Sequence, residues 1–164
     1  MGDVINLFKE DGSDLRMNIF EIANAFLSME SMSNKKLQKL CYYTQAWYIA
    51  LNNDSLIDCE FEAWTHGPVC PELYHTFKKY GYSNIQGRFE CPEIINNDNY
   101  LKEFIGSIYA MYGKFQADEL EEMTHNEDPW LNSREGLNEW EPGYNLISLD
   151  SMKKYYKNLR KYDN

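Results

Sequence analysis

The sequence predicts a mainly α, single compact helical domain of about six to seven helices with a small β element. Three observations lead there. Apolar residues recur at helical spacing in most segments long enough to test. Only one short stretch alternates with period two. The length, 164 residues, fits one core without staples, and no repeat, linker or low-complexity tract divides it.

Residues 1–16 carry Gly12, several charges and one small apolar group, and read as a lead-in to a domain over 17–164. A first helix is predicted from about Asn18 to Met29, with Ile19, Ile22, Ala23, Phe26 and Leu27 as its stripe. Asn18 caps it and Glu21 stands where a capping-box acid belongs. Ser33 is the natural N-cap of a second helix that runs to about Leu51 and stops at Asn52-Asn53-Asp54. Leu37, Leu40, Cys41, Thr44, Trp47, Tyr48 and Leu51 line one of its faces. Lys35, Lys36 and Lys39 crowd its first turns, where the helix dipole disfavours cations. They are read as solvated, with acids elsewhere in the chain as the alternative.

Ile57, Cys59, Phe61 and Ala63 alternate with Asp58, Glu60 and Glu62, which reads as one strand. A lone strand needs a partner, and the partner is expected within Ser83–Ile95, which holds Ile85, Phe89 and Ile94 without helical period. Between them, Trp64 to Pro71 is read as a rigid turn that cannot continue the strand. Pro71 opens a third helix with Cys70, Leu73, Tyr74, Phe77 and Tyr80 as its stripe and Gly81 as C′ residue. Further helices are predicted at Asn99–Tyr112, closed by Gly113, and at Gln116–Thr124. Asp128-Pro129 starts another to about Glu135, Glu141-Pro142-Gly143 turns, and a last helix from Ser148 or Asp150 carries Met152, Tyr155, Tyr156 and Leu159.

A formal charge of −10 argues against nucleic acid as a direct ligand, since phosphate binding rests on clustered Lys and Arg. An acidic surface favours solubility and can steer a basic partner. Thirteen tyrosines, eight phenylalanines and four tryptophans are read as a core with an aromatic rim, and secondarily as interface anchors. Met1–Glu10 lacks the basic start and apolar run of a signal peptide, and nothing spans a bilayer. The four cysteines form no C-x-x-C pair, so reduced thiols and a cytoplasmic location are expected.

No set of residues in the sequence forms a catalytic or metal-binding pattern. Cys59, His66, Cys70 and His75 depart from zinc spacing, and Cys70 and His75 would point about 140° apart on a helix. Cys41 and Cys70 read as core thiols rather than nucleophiles. No nucleophile elbow, zinc helix or phosphate loop is present. The expectation is a binding protein with no catalytic residues, metal or cofactor.

Two corners stand out instead. His66-Gly67-Pro68-Val69-Cys70-Pro71 and Thr124-His125-Asn126-Glu127-Asp128-Pro129-Trp130 each join a His to a Pro-started helix beside a Trp.

These stretches together carry a resemblance. Asn34-Lys35-Lys36-Leu37-Gln38-Lys39-Leu40-Cys41-Tyr42-Tyr43-Thr44-Gln45-Ala46-Trp47-Tyr48 resembles the signature helix of the Panacea, or SocA-like, antitoxin family. The likeness continues through Phe61-Glu62-Ala63-Trp64-Thr65-His66-Gly67-Pro68-Val69, Pro71 and Tyr74, then Leu120, Thr124-His125 and Pro129-Trp130. Ile147-Ser148, Met152 and Tyr155-Tyr156 close it, so the matches run in order over about Asn18–Leu159.

The resemblance implies a Panacea-like helical domain with a small β element, of a kind found in bacteria, prophages and phages, including GepA-type proteins. It implies an antitoxin that neutralises a cognate toxin by direct binding; relatives act on several toxin classes, including enzymes related to alarmone synthetases. Many carry an extra toxin-choosing domain, and here the bare-domain version is expected. The alternatives are a proteolytic adaptor that delivers the toxin to ClpXP through ClpX, and a phage-encoded acidic inhibitor of a host nucleic-acid enzyme. In the latter, Asp118, Glu119, Glu121 and Glu122 would imitate phosphates. A homodimer is compatible with the aromatic excess. The candidate partner-binding residues are Trp64, His66, Gly67, Pro68, Val69, Pro71, Tyr74, Thr124, His125, Pro129 and Trp130. The two corners are expected to lie together and, with neighbouring acids, to block a toxin's basic surface.

Overall fold

A computed structural model describes residues 16–162 of the chain; the lead-in predicted over 1–16 lies outside the described residues except for Arg16. The fold is wound around one helix. Every residue of α2 (Asn34–Asn52) is buried except Lys35 and Leu51, so this is a central helix rather than one with a wet face. Leu51, expected inward, is 37% exposed, while its neighbours Ala50 and Asn52 stay buried. Ser33 caps α2 by accepting from the Lys36 N–H, and Asn53 in the left-handed region ends it. Before it, α1 (Ile19–Met29) carries the predicted capping box of Asn18 and Glu21.

The strand pairing corrects the expectation. β1 (Glu62–Trp64) pairs antiparallel with β2 (Gly67–Val69), in the register Glu62 with Val69 and Trp64 with Gly67. The two-residue loop Thr65-His66 joins them, and Gly67, at φ 111°, supplies a conformation that L side chains rarely adopt. The segment read as a turn unable to continue the strand is therefore its partner. Pro68 is tolerated because, among the described residues, β2 is an outer strand with no ladder beyond it. The other edge of β1 is satisfied from the C-terminal side: the Ala63 N–H donates to Asn145 O and the Ile147 N–H to Phe61 O, both at 2.8 Å. Ser83–Ile95 does not pair with β1; there, the Ile85 N–H donates to Met32 O at 2.9 Å. The start of the alternating stretch is taken by Met17, whose N–H donates to Leu56 O and whose carbonyl accepts from the Asp58 N–H.

After β2, α3 (Pro71–Phe77) tightens into a 3₁₀ turn over Lys78–Tyr80. A single helical turn, α4 (Glu93–Asn96), follows Pro92 and is too short to show a period. Then come α5 (Asn99–Tyr112), α6 (Ala117–His125), α7 (Asp128–Ser133) and α8 (Leu149–Tyr162). The described residues thus hold eight α-helices, of which α4 is the one not anticipated. No described helix is long and apolar enough to cross a membrane.

α8 packs along α2, with α1, α5 and α6 on the remaining sides. Tyr42, Tyr43, Tyr48 and Tyr156 are fully buried among them, and Tyr43 stacks on Tyr112 at 3.9 Å between ring centroids. Such rings bring large apolar area, yet each hydroxyl needs a partner. Tyr43 and Tyr156 both donate to Glu127 Oε1, at 2.8 and 2.9 Å. Burial pushes that carboxyl up to about 7 while the two hydroxyl bonds pull it down, so the cluster sits inside the fold close to neutral.

Candidate functional site

The buried polar residues of α2 build the site. Asn34 Nδ2 donates to Tyr74 O at 3.1 Å. Gln38 takes Cys70 from both sides: its Oε1 accepts the Cys70 N–H at 2.9 Å and its Nε2 donates to Cys70 O at 3.3 Å. Lys39 Nζ donates to Pro68 O at 3.2 Å. Backbone groups that cannot complete a sheet ladder are thus paired by side chains of one helix, which fixes the Trp64–Tyr74 corner. Farther along, Gln45 Oε1 accepts the N–H groups of Leu56 and Ile57 at 3.0 and 2.9 Å, and anchors the approach to β1.

The expected solvated lysines are a second correction. Lys36 reaches Glu30 at 2.9 Å and Gly113 O at 2.6 Å, while Lys35 bridges Asp118 and Glu121 at 2.7 and 2.8 Å. Lys39 is 1% exposed. Burial pulls its ammonium down to about 7, and the nearby Glu121 carboxylate offsets this only in part. These cations sit in the first turns of α2 because later segments bring carbonyls and acids to them.

The two corners meet. Trp130 Nε1 donates to Trp64 O at 2.8 Å, and His66 Nδ1 lies 2.9 Å from Glu121 Oε1. Thr124 Oγ1 lies beside Gly67, where an added Cβ would come within 3.1 Å of it. His125 stacks on Trp130 at 4.0 Å and hydrogen-bonds the Thr65 backbone. Burial lowers its pKa, and its Nε2 is buried without a partner among the described residues. Arg134, buried, donates to the carbonyls of Ala63, Asn138 and Glu141 and lies 5.0 Å over the Trp130 ring.

Of the candidate residues, Gly67, Pro68, Val69, Thr124, Pro129 and Trp130 are buried, and shape the corners from within. Trp64, His66, Pro71, Tyr74 and His125 reach the surface. Two clefts of opposite character flank the His66–Glu121 pair. One, of about 730 Å³, is lined by Asp118, Glu121, Glu122, Glu135 and Glu139 around His125 and Trp130, with Arg134 already engaged by backbone. The other, of about 520 Å³, has Trp64, Tyr74, Tyr82 and Tyr144 as walls, with Trp64 edge-on to Tyr74 at 5.0 Å and to Tyr144 at 5.8 Å. Its basic residues are Lys35, Lys39, His66 and Lys78, and no carboxylate lines it among the described residues.

Tyr82, Tyr144 and the acids Glu135 and Glu139 were not singled out from sequence. One signal was present: Tyr82 follows Gly81 and Tyr144 follows Gly143, so each large ring comes directly after a turn glycine, outside any stripe. Cys70, read as a core thiol, lies beside Cys59, whose thiol lowers its pKa against the effect of burial.

Residues 37–131 match the family described as antitoxin SocA-like, Panacea domain. Among curated proteins, the antitoxin SocA of Caulobacter vibrioides (strain NA1000 / CB15N) is 29% identical over 125 residues. That alignment takes in 70% of this chain and 64% of the relative, so the chain spans somewhat under two thirds of the relative's length. No solved structure matches. The matched segment takes in most of α2, the β1–β2 hairpin and both corners, more than half of all residues, and the chain belongs to the SocA-like, Panacea-domain antitoxin family.

Proposed function

We propose that this protein is an antitoxin that works by binding, with the acidic cleft beside the joined corners as the surface that covers a basic face of its toxin. The observation that carries this reading is the convergence at Glu121. There His66, Lys35 and the α6 acids meet, and five carboxylates line a cleft whose one guanidinium is spent on backbone carbonyls. A cleft lined by one sign of charge focuses its field and raises the encounter rate with a partner of opposite sign. His125 and Trp130 give that cleft a rigid aromatic floor, the kind of group that anchors protein interfaces. The role needs no catalytic residue, and family membership supports a regulatory rather than an enzymatic part.

The test is co-expression with the product of the adjacent open reading frame, scoring growth and co-purification together. Growth rescue with a stable complex is expected. Glu122→Lys with Glu139→Lys, both exposed and outside the core, is expected to abolish rescue while the fold persists. Rescue that survives this double reversal places the toxin elsewhere on the surface. Rescue that disappears in a host without ClpXP replaces sequestration by delivery to the protease.

A further inference from the structure

We propose that the aromatic cleft on the other side of His66 is a binding site for a small planar anion, a ring system that carries a phosphate or carboxylate head. This is independent of the toxin-binding reading.

Three observations converge. The first is composition. In a chain with 26 acidic residues against 16 basic ones, this cleft has no carboxylate in its lining among the described residues, whereas its neighbour has five. Lys35 and His66 on its rim are committed to Glu121, but Lys78 is exposed and makes no ion pair among the described residues. The second is the walls. Tyr82 is 86% exposed and Tyr144 65% exposed, far more than the other tyrosines in the hydrophobic core, and with Trp64 and Tyr74 they enclose a slot. Its volume of about 520 Å³ lies in the range of small-molecule sites, which are typically aromatic-lined with a few placed polar groups.

The third is the floor. Lys39 is buried beneath the hairpin with a single hydrogen bond, to Pro68 O, although an ammonium carries three donors. No carboxylate lies within ion-pair distance of it among the described residues. The charged form of a buried amine without a paired carboxylate is unfavourable, and here only the more distant Glu121 favours it. Gly67 leaves the space, since a Cβ there would stand 2.4 Å from Lys39 Cε. An anionic head seated over the hairpin supplies the missing charge, while the ring it carries stacks against Trp64 or Tyr144.

Isothermal titration of the full chain with adenosine monophosphate and with indole-3-acetate tests this, against adenosine and inorganic phosphate as half-ligands. At least one ring-bearing anion is expected to bind with Kd on the order of 100 μM, and each half-ligand about tenfold or more weaker. Preference for the phosphate or the carboxylate probe identifies the head. Lys78→Glu and Tyr144→Ala, both at exposed positions, are each expected to weaken binding about tenfold without lowering the melting temperature. Lys39→Met is expected to abolish it. The proposal is overturned if neither anion binds at about 5 mM, if adenosine binds as well as its phosphate, or if both surface variants leave the affinity unchanged.

Discussion

Lys39→Met isolates the electrostatics of the frame. The amine is buried and titrates at about 7 in the folded protein, against 10.5 for an exposed lysine. The folded pKa is the lower one, so between about 7 and 10.5 the unfolded chain holds a proton that the folded chain has released. Stability therefore rises with pH across that window. Worked through the linkage relation, burying this group costs about 4 kcal/mol near pH 7 and about 1 kcal/mol near pH 10. Met fills nearly the same space without a charge and escapes the penalty at every pH. It also leaves Pro68 O without its donor, a loss of about 1–3 kcal/mol that does not depend on pH. The variant should thus be more stable than the parent by about 1–3 kcal/mol near pH 7, and equal or less stable near pH 10. Urea unfolding followed by tryptophan fluorescence measures both curves. The alkaline titration of the tyrosines is common to both proteins and cancels in the difference. Two curves separated by the same amount at all pH values would refute the buried ammonium.

Other perturbations follow from the same contacts. Glu127 titrates at about 7 when folded, above its ordinary 4.5, so the folded chain keeps a proton that the unfolded chain loses between those values, and stability falls as pH rises through them. Glu127→Gln keeps an acceptor for Tyr43 and Tyr156 and removes that slope; from about pH 4 to about pH 8 it should gain about 3 kcal/mol relative to the parent, read by urea unfolding. Gly67→Ala meets both a φ of 111° and the Lys39 side chain, and should lower stability by about 3 kcal/mol or more, seen as a fall in the unfolding midpoint. Trp130→Phe removes the 2.8 Å bond to Trp64 O and should cost about 1–3 kcal/mol. His66→Ala, at an exposed loop position, should leave the unfolding free energy in urea within about 0.5 kcal/mol of the parent.

The helices were legible because their signals are local. Asn18 with Glu21, Ser33, and the stripes of α5 and α8 act within a turn or two of themselves. The hairpin was not, because Pro68 reads as a breaker until its strand is known to be an outer one. The polar positions of α2 failed for a related reason. Gln38, Lys39 and Gln45 take the places that a solvent-facing stripe would occupy, and only tertiary neighbours show them to be inside. His, Pro and Trp announced the two corners. The wall residues Tyr82 and Tyr144 did not stand out, since exposed tyrosines after turn glycines form no periodic pattern.

The residues of the central frame and those of the surface around it divide by what they touch. Gln38, Lys39, Tyr43, Gly67, Pro68, Thr124 and Trp130 face inward and hold the hairpin, the two corners and the Glu127 cluster in one arrangement. A change at any of these perturbs several bonds at once, because each is paired to backbone or to a buried group. His66, Glu122, Glu139, Tyr82 and Tyr144 face outward and are bound to the fold by one contact or none that the frame needs. A frame of this kind can be kept while its outer residues change, since surface substitutions away from such networks usually alter stability by about 0.5 kcal/mol or less. On the proposed reading, these inward residues report how the scaffold is built and leave the toxin unspecified. Partner choice should lie in the charges around the acidic cleft, and exchanging Glu122, Glu135 and Glu139 for the residues of another family member should change which toxin is neutralised without changing the fold. If such an exchange leaves toxin choice as it was, while the parent's own toxin is still bound, specificity resides outside this cleft.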